Sequence, residues 1–307
     1  MYQSLLPMIL ILASGLAWRH LQPGGIPIQQ IRQVLNTLVI NLLVPALIFG
    51  VFLNTHPEPA LYRVPLVALA TIAVCLGAGL LVFGAMLRVG YLTRAEAGAA
   101  VLAVGFGNGL GAALPVIEGL YGAQATRVPL MYEMFATVPV HWSLGVALAA
   151  WFGGAAVGWR SVLVVLRMPP FWATLIALAM NGSGVVVPDS LVHAFSVLGQ
   201  AAVPLLLFVV GSTFTLRGLS RLSVLLPVVV LRPILGVAVC LFAARALELD
   251  GTLLTATALV AAAPSVAVGI AVCERFKLDS ALFTAALTVT TVLYVLLAPV
   301  LMTLVEG

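Results

Sequence analysis

The stretch Ala103-Val-Gly105-Phe-Gly107-Asn108-Gly109-Leu-Gly111-Ala-Ala-Leu-Pro115 decides the fold. It lies inside a long apolar segment, yet four glycines and a proline crowd between Gly105 and Pro115. Proline removes a backbone donor and clashes with the preceding turn, so a regular helix is not expected to continue there. A milder version recurs far downstream as Ala261-Ala-Ala-Pro264-Ser265-Val-Ala-Val-Gly269. Backbone groups freed at membrane depth are tolerated only where they face protein or a water-filled cavity. Both stretches are therefore expected to line a cavity. Half-helices beginning after Pro115 and Pro264 would point N-termini, and their positive dipole ends, at a common place that favours an anion. Gly109 would bring backbone close to that solute, Asn108 would offer an amide donor, and Ser265 would be the polar residue of the second stretch.

The surroundings of these stretches are those of a membrane protein. The chain has 307 residues, 63% of them hydrophobic and 8% charged, with a mean hydropathy of +1.19. Fourteen Lys+Arg and 10 Asp+Glu cannot furnish the polar skin of a soluble globule this size. Three cysteines exclude a disulfide scaffold, and Cys75, Cys240 and Cys273 read as buried thiols with no ligand spacing. The basic residues never cluster, so the pI near 9.3 implies no nucleic-acid partner. The expected fold class is an all-α membrane protein, with apolar segments at residues 4–18, 34–53, 64–87, 96–121, 129–152, 168–187, 190–214, 222–246, 252–275 and 279–305. Continuous apolar runs, instead of alternation, exclude a β-barrel.

Loop charges orient these ten segments. Odd-numbered connections carry Arg19, Arg32, Arg88, Arg94, Arg160, Arg167, Arg217, Arg221, Arg275 and Lys277, whereas even-numbered ones carry only Arg63, Arg127 and Arg245. The positive-inside rule then places odd loops in the cytoplasm and both termini outside the inner membrane. No Lys or Arg precedes Arg19, so the first segment reads as a span and not as a signal peptide. Trp142, Trp151, Trp159 and Trp172 fit an interfacial belt.

The two halves of the chain echo one another. Pro7 corresponds to Pro170, Pro65 to Pro227 and Pro115 to Pro264, and Asn41-Leu-Leu-Val-Pro45-Ala-Leu-Ile-Phe49 matches Gln200-Ala-Ala-Val-Pro204-Leu-Leu-Leu-Phe208. Five spans per repeat make the repeats inverted, residues 1–159 and 160–307. Secondary transporters use this plan, with a site at the midplane where interrupted helices meet.

At these residues the chain resembles the auxin efflux carrier family, which includes bacterial transporters for malonate and related acids. The resemblance rests on Asn108 followed by Pro115, on Pro264 with Glu274-Arg275-Phe276, and on Pro204 through Gly211. It implies the fold of the bile-acid/sodium symporters: ten helices in two inverted repeats, helices 4 and 9 broken and crossing. It also implies a dimerising scaffold of helices 1, 2, 6 and 7, and an elevator-type transport domain of helices 3–5 and 8–10. The chain departs from the family after Pro264, where Val266, Ala267, Val268 and Gly269 stand in place of a polar amide.

Ionisable residues inside spans are functional candidates. Arg232 either holds a substrate carboxylate, pairs with an internal acid, or bonds carbonyls freed by Pro233. Glu133 and His141 either carry protons, or Glu133 snorkels outward and His141 bonds a backbone carbonyl. Glu118 reads as structural. No cofactor, metal cluster, catalytic triad or nucleotide loop is read. The leading expectation is a secondary active transporter of a small organic anion, embedded in the lipid bilayer as a homodimer. The alternatives are a sodium-coupled organic-anion symporter and a non-transporting membrane enzyme or sensor. Sodium-coupled relatives of the wider fold hold the ion with a carboxylate and an amide on helix 9, and neither follows Pro264 here. Replacing sodium by potassium at fixed pH and membrane potential should leave uptake unchanged in proteoliposomes, and a strict sodium requirement would instead select the symporter.

Overall fold

The computed structural model describes residues 2–53, 58–155, 166–213 and 221–306. Trp159, Arg160 and Arg217, which enter the loop and belt readings, lie outside the described residues. The helices in chain order are α1 (Tyr2–Leu21), α2 (Ile28–Phe52), α3 (Pro59–Arg88), α4 (Arg94–Gly105), α5 (Gly109–Tyr121) and α6 (Ala123–Phe152). They continue as α7 (Pro169–Gly182), α8 (Asp189–Thr213), α9 (Leu222–Ala246), α10 (Gly251–Ala262), α11 (Gly269–Arg275) and α12 (Ser280–Glu306). Six stretches, α2, α3, α6, α8, α9 and Ser280–Thr303 of α12, are long and apolar enough to cross a membrane. Among the described residues there is no strand, only an isolated bridge between Gly107 and Ser265.

Local chemistry sets the helix ends. Thr93 and Glu96 form a capping box at the start of α4, the Thr93 N–H donating to the Glu96 carboxylate at 2.8 Å, and Arg221 pairs with Glu96. Asp279 caps α12 by accepting from the Leu282 N–H at 2.9 Å. At Gly122, φ of +82° turns the chain out of α5 straight into α6.

Prolines shape the helix interiors in a repeated way. Widened π turns occupy Val39–Leu43, Gly109–Ala113 and Glu133–Thr137, and Pro45, Pro115 and Pro139 follow them. A proline ring presses on the carbonyl four residues back. That carbonyl belongs to Asn41, Gly111 or Phe135, the middle residue of each turn, so the turn opens. Arg232 sits in a further π turn, Val230–Leu235, which contains Pro233, and His141 begins another at His141–Gly145.

Packing divides by close approach. Helix α1 lies against the second half of α8: a Cβ on Gly15 would strike the Phe208 carbonyl, and one on Gly211 the Leu12 carbonyl. Helix α2 meets α8 through Gly50 against Ser196 and Gly199 against Leu47, and meets α7, whose Asn181 amide donates to the Phe52 carbonyl at 2.7 Å. Around the other helices, α3 packs on α4 and α9, α9 on α10, α10 on α12 and α6, and α12 on α4. The Ala/Gly-rich α4 and α10 are buried on nearly every side, which suits helices that are apolar all round. Gly211→Leu should collide with backbone that has nowhere to go, costing about 1–3 kcal/mol as overpacked sites do. Its thermal midpoint in detergent should fall, while that of Gly77→Leu, which faces open space, should not.

Candidate functional site

The chain breaks between α4 and α5 at Phe106–Asn108, and between α10 and α11 at Ala263–Val268. The two breaks pair with each other. The Asn108 N–H donates to the Pro264 carbonyl at 2.7 Å, and the Val266 N–H donates to the Phe106 carbonyl at 3.0 Å. Two extended segments thus cross antiparallel at Gly107 and Ser265, each supplying the partner the other's helix lost. The Ser265 hydroxyl donates to the Ala103 carbonyl of α4 at 2.7 Å, and its N–H donates to Thr290 Oγ1 on α12 at 3.2 Å. Arg232 Nε donates to the Ala263 carbonyl at 3.2 Å.

One expectation is corrected here. The break does not fall at Pro115, and α5 does not begin after it. Pro115 lies within the helix, behind the π turn Gly109–Ala113, because its missing N–H falls where the ladder has already widened. Pro264 does lie in the second break, but the helix resumes only at Gly269. Helix α5 begins at Gly109, and the preceding Asn108 caps it, its Oδ1 accepting from the Gly111 N–H at 3.0 Å. The Gly109 N–H at that same end donates to Glu133 Oε1 on α6 at 2.9 Å. The dipole end proposed for a solute thus already holds a carboxylate.

The four glycines make room. None of Gly105, Gly107, Gly109 and Gly111 has positive φ. A Cβ on Gly105 would meet Leu76, on Gly107 the Arg232 guanidinium, on Gly109 the Glu133 carboxylate, and on Gly111 the side chain of Asn108. Asn108 is therefore flanked by a cation packed on one neighbouring glycine and a carboxylate on the other.

The remaining candidates fall as follows. Arg232 is 1% exposed, and the carbonyl it bonds is one freed at Pro264 and not at Pro233. Glu133 is 3% exposed and does not snorkel outward. His141 packs edge-on against Phe106, ring centroids 4.7 Å apart, and both its ring nitrogens lack a hydrogen-bond partner among the described residues. Its expected bond to a backbone carbonyl is absent, because the Phe106 ring faces the imidazole. Asn108 Nδ2 and Arg232 Nη1 are likewise buried without a partner. Glu118 is partly exposed, outside this cluster, and the three cysteines are buried and free. Thr290 was not singled out from sequence, although Thr288, Thr290 and Thr291 crowd an otherwise apolar span.

The two broken helices pair with each other, and an amide donor and a guanidinium N–H at the crossing have no partner among the described residues. The chain belongs to the membrane transport protein family. The family's profile matches residues 1–152 and 156–302, nearly the whole chain. No curated protein matches it. This is a transporter family of the auxin-efflux-carrier type and not an enzyme family, and with its apolar helices the chain is a multi-pass membrane protein.

Gly107→Ala should push the Arg232 guanidinium off the Ala263 carbonyl. An unpaired buried charged donor costs about 1.5–3 kcal/mol, so the thermal midpoint should drop well below that of Gly77→Ala, whose added methyl meets nothing.

Proposed function

We propose that the protein is a secondary active transporter that carries a small organic anion, such as a carboxylate, bound where the two broken helices cross. The observation that carries this reading is the buried Asn108 amide, left with a free donor beside the exchanged backbone pair. A substrate carboxylate would take the Asn108 Nδ2 donor and face Arg232, with Gly109, Pro264 and Ser265 shaping the backbone around it. Pro115 would act one step removed, by widening the turn that follows Asn108.

In this reading α4 with α5, and α10 with α11, are each one interrupted span, which gives ten spans in two inverted repeats, residues 1–159 and 160–307. The packing is what such a relation would produce: α1 on α8 answers α7 on α2, and α4 on α12 answers α10 on α6. Helices α1, α2, α7 and α8 would form a scaffold that dimerises in the inner membrane. Helices α3–α6 and α9–α12 would move against it as an elevator, with both termini outside. A domain carrying the whole crossing keeps its backbone pairs intact during movement, so alternating access need not expose them to lipid. A sodium-coupled symporter of the same fold is the competing reading.

Counterflow in proteoliposomes tests the proposal, after thermal-shift screening of mono- and dicarboxylates has ranked ligands. Asn108→Ala should leave the protein folded and monodisperse and cut exchange at subsaturating ligand at least tenfold, since one lost charge-assisted bond is worth about 1.5–3 kcal/mol of affinity. Full exchange in that variant would discard the crossing as the binding site.

A further inference from the structure

Glu133 occupies the place an anion should take. Its carboxylate accepts from the first N–H of α5, and Gly109 has no side chain to keep it away. On the other side of Asn108, Arg232 packs on Gly107. No carboxylate among the described residues lies within ion-pairing distance of Arg232. Arg232 and Glu133 thus stand on opposite sides of Asn108, each packed on the glycine next to it. With both ionised, the crossing is neutral and its helix end is filled. An entering anion would then meet a fixed negative charge in a water-poor setting, where like charges repel strongly.

We propose that the crossing takes up its anion together with one proton, which is carried on the Glu133 carboxylate. The proposal rests on the crossing being the anion site. A proton from the aqueous phase forms one O–H bond on Glu133 and cancels that side chain's charge. Arg232 is then the unbalanced charge. The substrate carboxylate enters against it, and the Asn108 amide and the Gly109 N–H turn to the stronger acceptor. On the opposite side the anion leaves, the O–H bond breaks, the proton returns to water, and the carboxylate recaptures the Gly109 N–H. For a monocarboxylate, loaded and empty carriers bear the same net charge, so the cycle is electroneutral.

Other titratable groups near Glu133 fit this role less well. Tyr132 precedes it on α6, Cys75 on α3 donates its thiol to the Leu231 carbonyl of α9, and Cys240 lies with Arg232 on α9. Among the described residues none of these is hydrogen-bonded to the break backbone, and α7 and α10 carry no ionisable residue. Glu118 is nine residues along α5 from Gly109, about 14 Å at 1.5 Å per residue. His141 meets the Phe106 ring, and neither of its nitrogens is hydrogen-bonded among the described residues.

The test uses purified protein in proteoliposomes, with labelled lactate and labelled malonate as probes and an internal pH dye. Counterflow at equal pH on both sides needs no coupling and reads the anion site alone. In wild type, an acid-outside gradient should drive accumulation of lactate at one proton per anion. The half-saturating concentration should rise about tenfold per pH unit on the alkaline limb. Glu133→Gln keeps an oxygen for the Gly109 N–H. It should still exchange, more slowly, but with a flat pH profile and no accumulation above the outside concentration. His141→Gln should keep both the slope and the accumulation. Gradient-driven accumulation by Glu133→Gln, loss of coupling in His141→Gln alone, or wild-type anion entry without proton entry would overturn the proposal. If Glu133→Gln does not fold, the wild-type proton count decides by itself. Absence of counterflow with both probes would remove the anion site, and the coupling with it.

Discussion

Two hydrogen bonds, Asn108 N–H to Pro264 O and Val266 N–H to Phe106 O, hold the rest of the structure to account. Every break in a helix at membrane depth frees carbonyls and N–H groups, and each one left bare in hydrocarbon costs several kcal/mol. One broken helix alone cannot repair itself. Two broken at the same depth and crossing antiparallel can, because each presents the donor and acceptor the other lacks. The requirement propagates outward. The helices that lead into the crossing, α4 and α10, are packed on nearly every side, and alanine is the commonest residue in both. The carbonyls left behind at Ala103 and Ala263 need donors, and Ser265 and Arg232 supply them. The N–H groups of Gly109 and Ser265 need acceptors, and α6 and α12 bring Glu133 and Thr290.

Much of this was legible in the sequence. The apolar runs and scarce charges exposed a multi-pass helical protein, and the glycine-rich stretch at Gly105–Gly111 and Pro264 marked where helices break. Pro115 was misleading because its effect lies upstream. The ring disturbs the carbonyl of Gly111, and the turn widens there without ending the helix. The same displacement holds for Pro45 and Pro139, each of which follows a π turn centred four residues before it. The partner of Arg232 was not legible, since the Ala263 carbonyl lies on another helix and only the tertiary crossing joins them. Nor was the burial of Glu133 against Gly109, which needs α5 and α6 to fold back sharply at Gly122.

The acceptors that serve the two breaks differ in charge. Glu133 on α6 and Thr290 on α12 do the same work, each accepting an N–H released at a break. A hydroxyl suffices for that work, as Thr290 shows, so satisfying backbone does not account for a carboxylate in the other half. Arg232 is likewise more than a carbonyl needs, because one of its three nitrogens bonds Ala263 while Nη1 has no partner among the described residues. Keeping two buried charges is expensive where neutral groups would close the backbone accounts. In the proposed reading, that surplus is what meets a charged solute.

The glycines sharpen that conclusion. A glycine-rich break suggests backbone freedom, yet none of the four adopts a conformation closed to other residues. Their common property is missing bulk, and what fills the space differs along the run. Leucine packs at Gly105 and the capping amide at Gly111, but the two positions that flank Asn108 admit the guanidinium and the carboxylate. An alanine at either would still allow the turn and would expel the charge. The run is therefore spaced so that the Asn108 amide, whose Nδ2 has no partner among the described residues, sits between the guanidinium and the carboxylate.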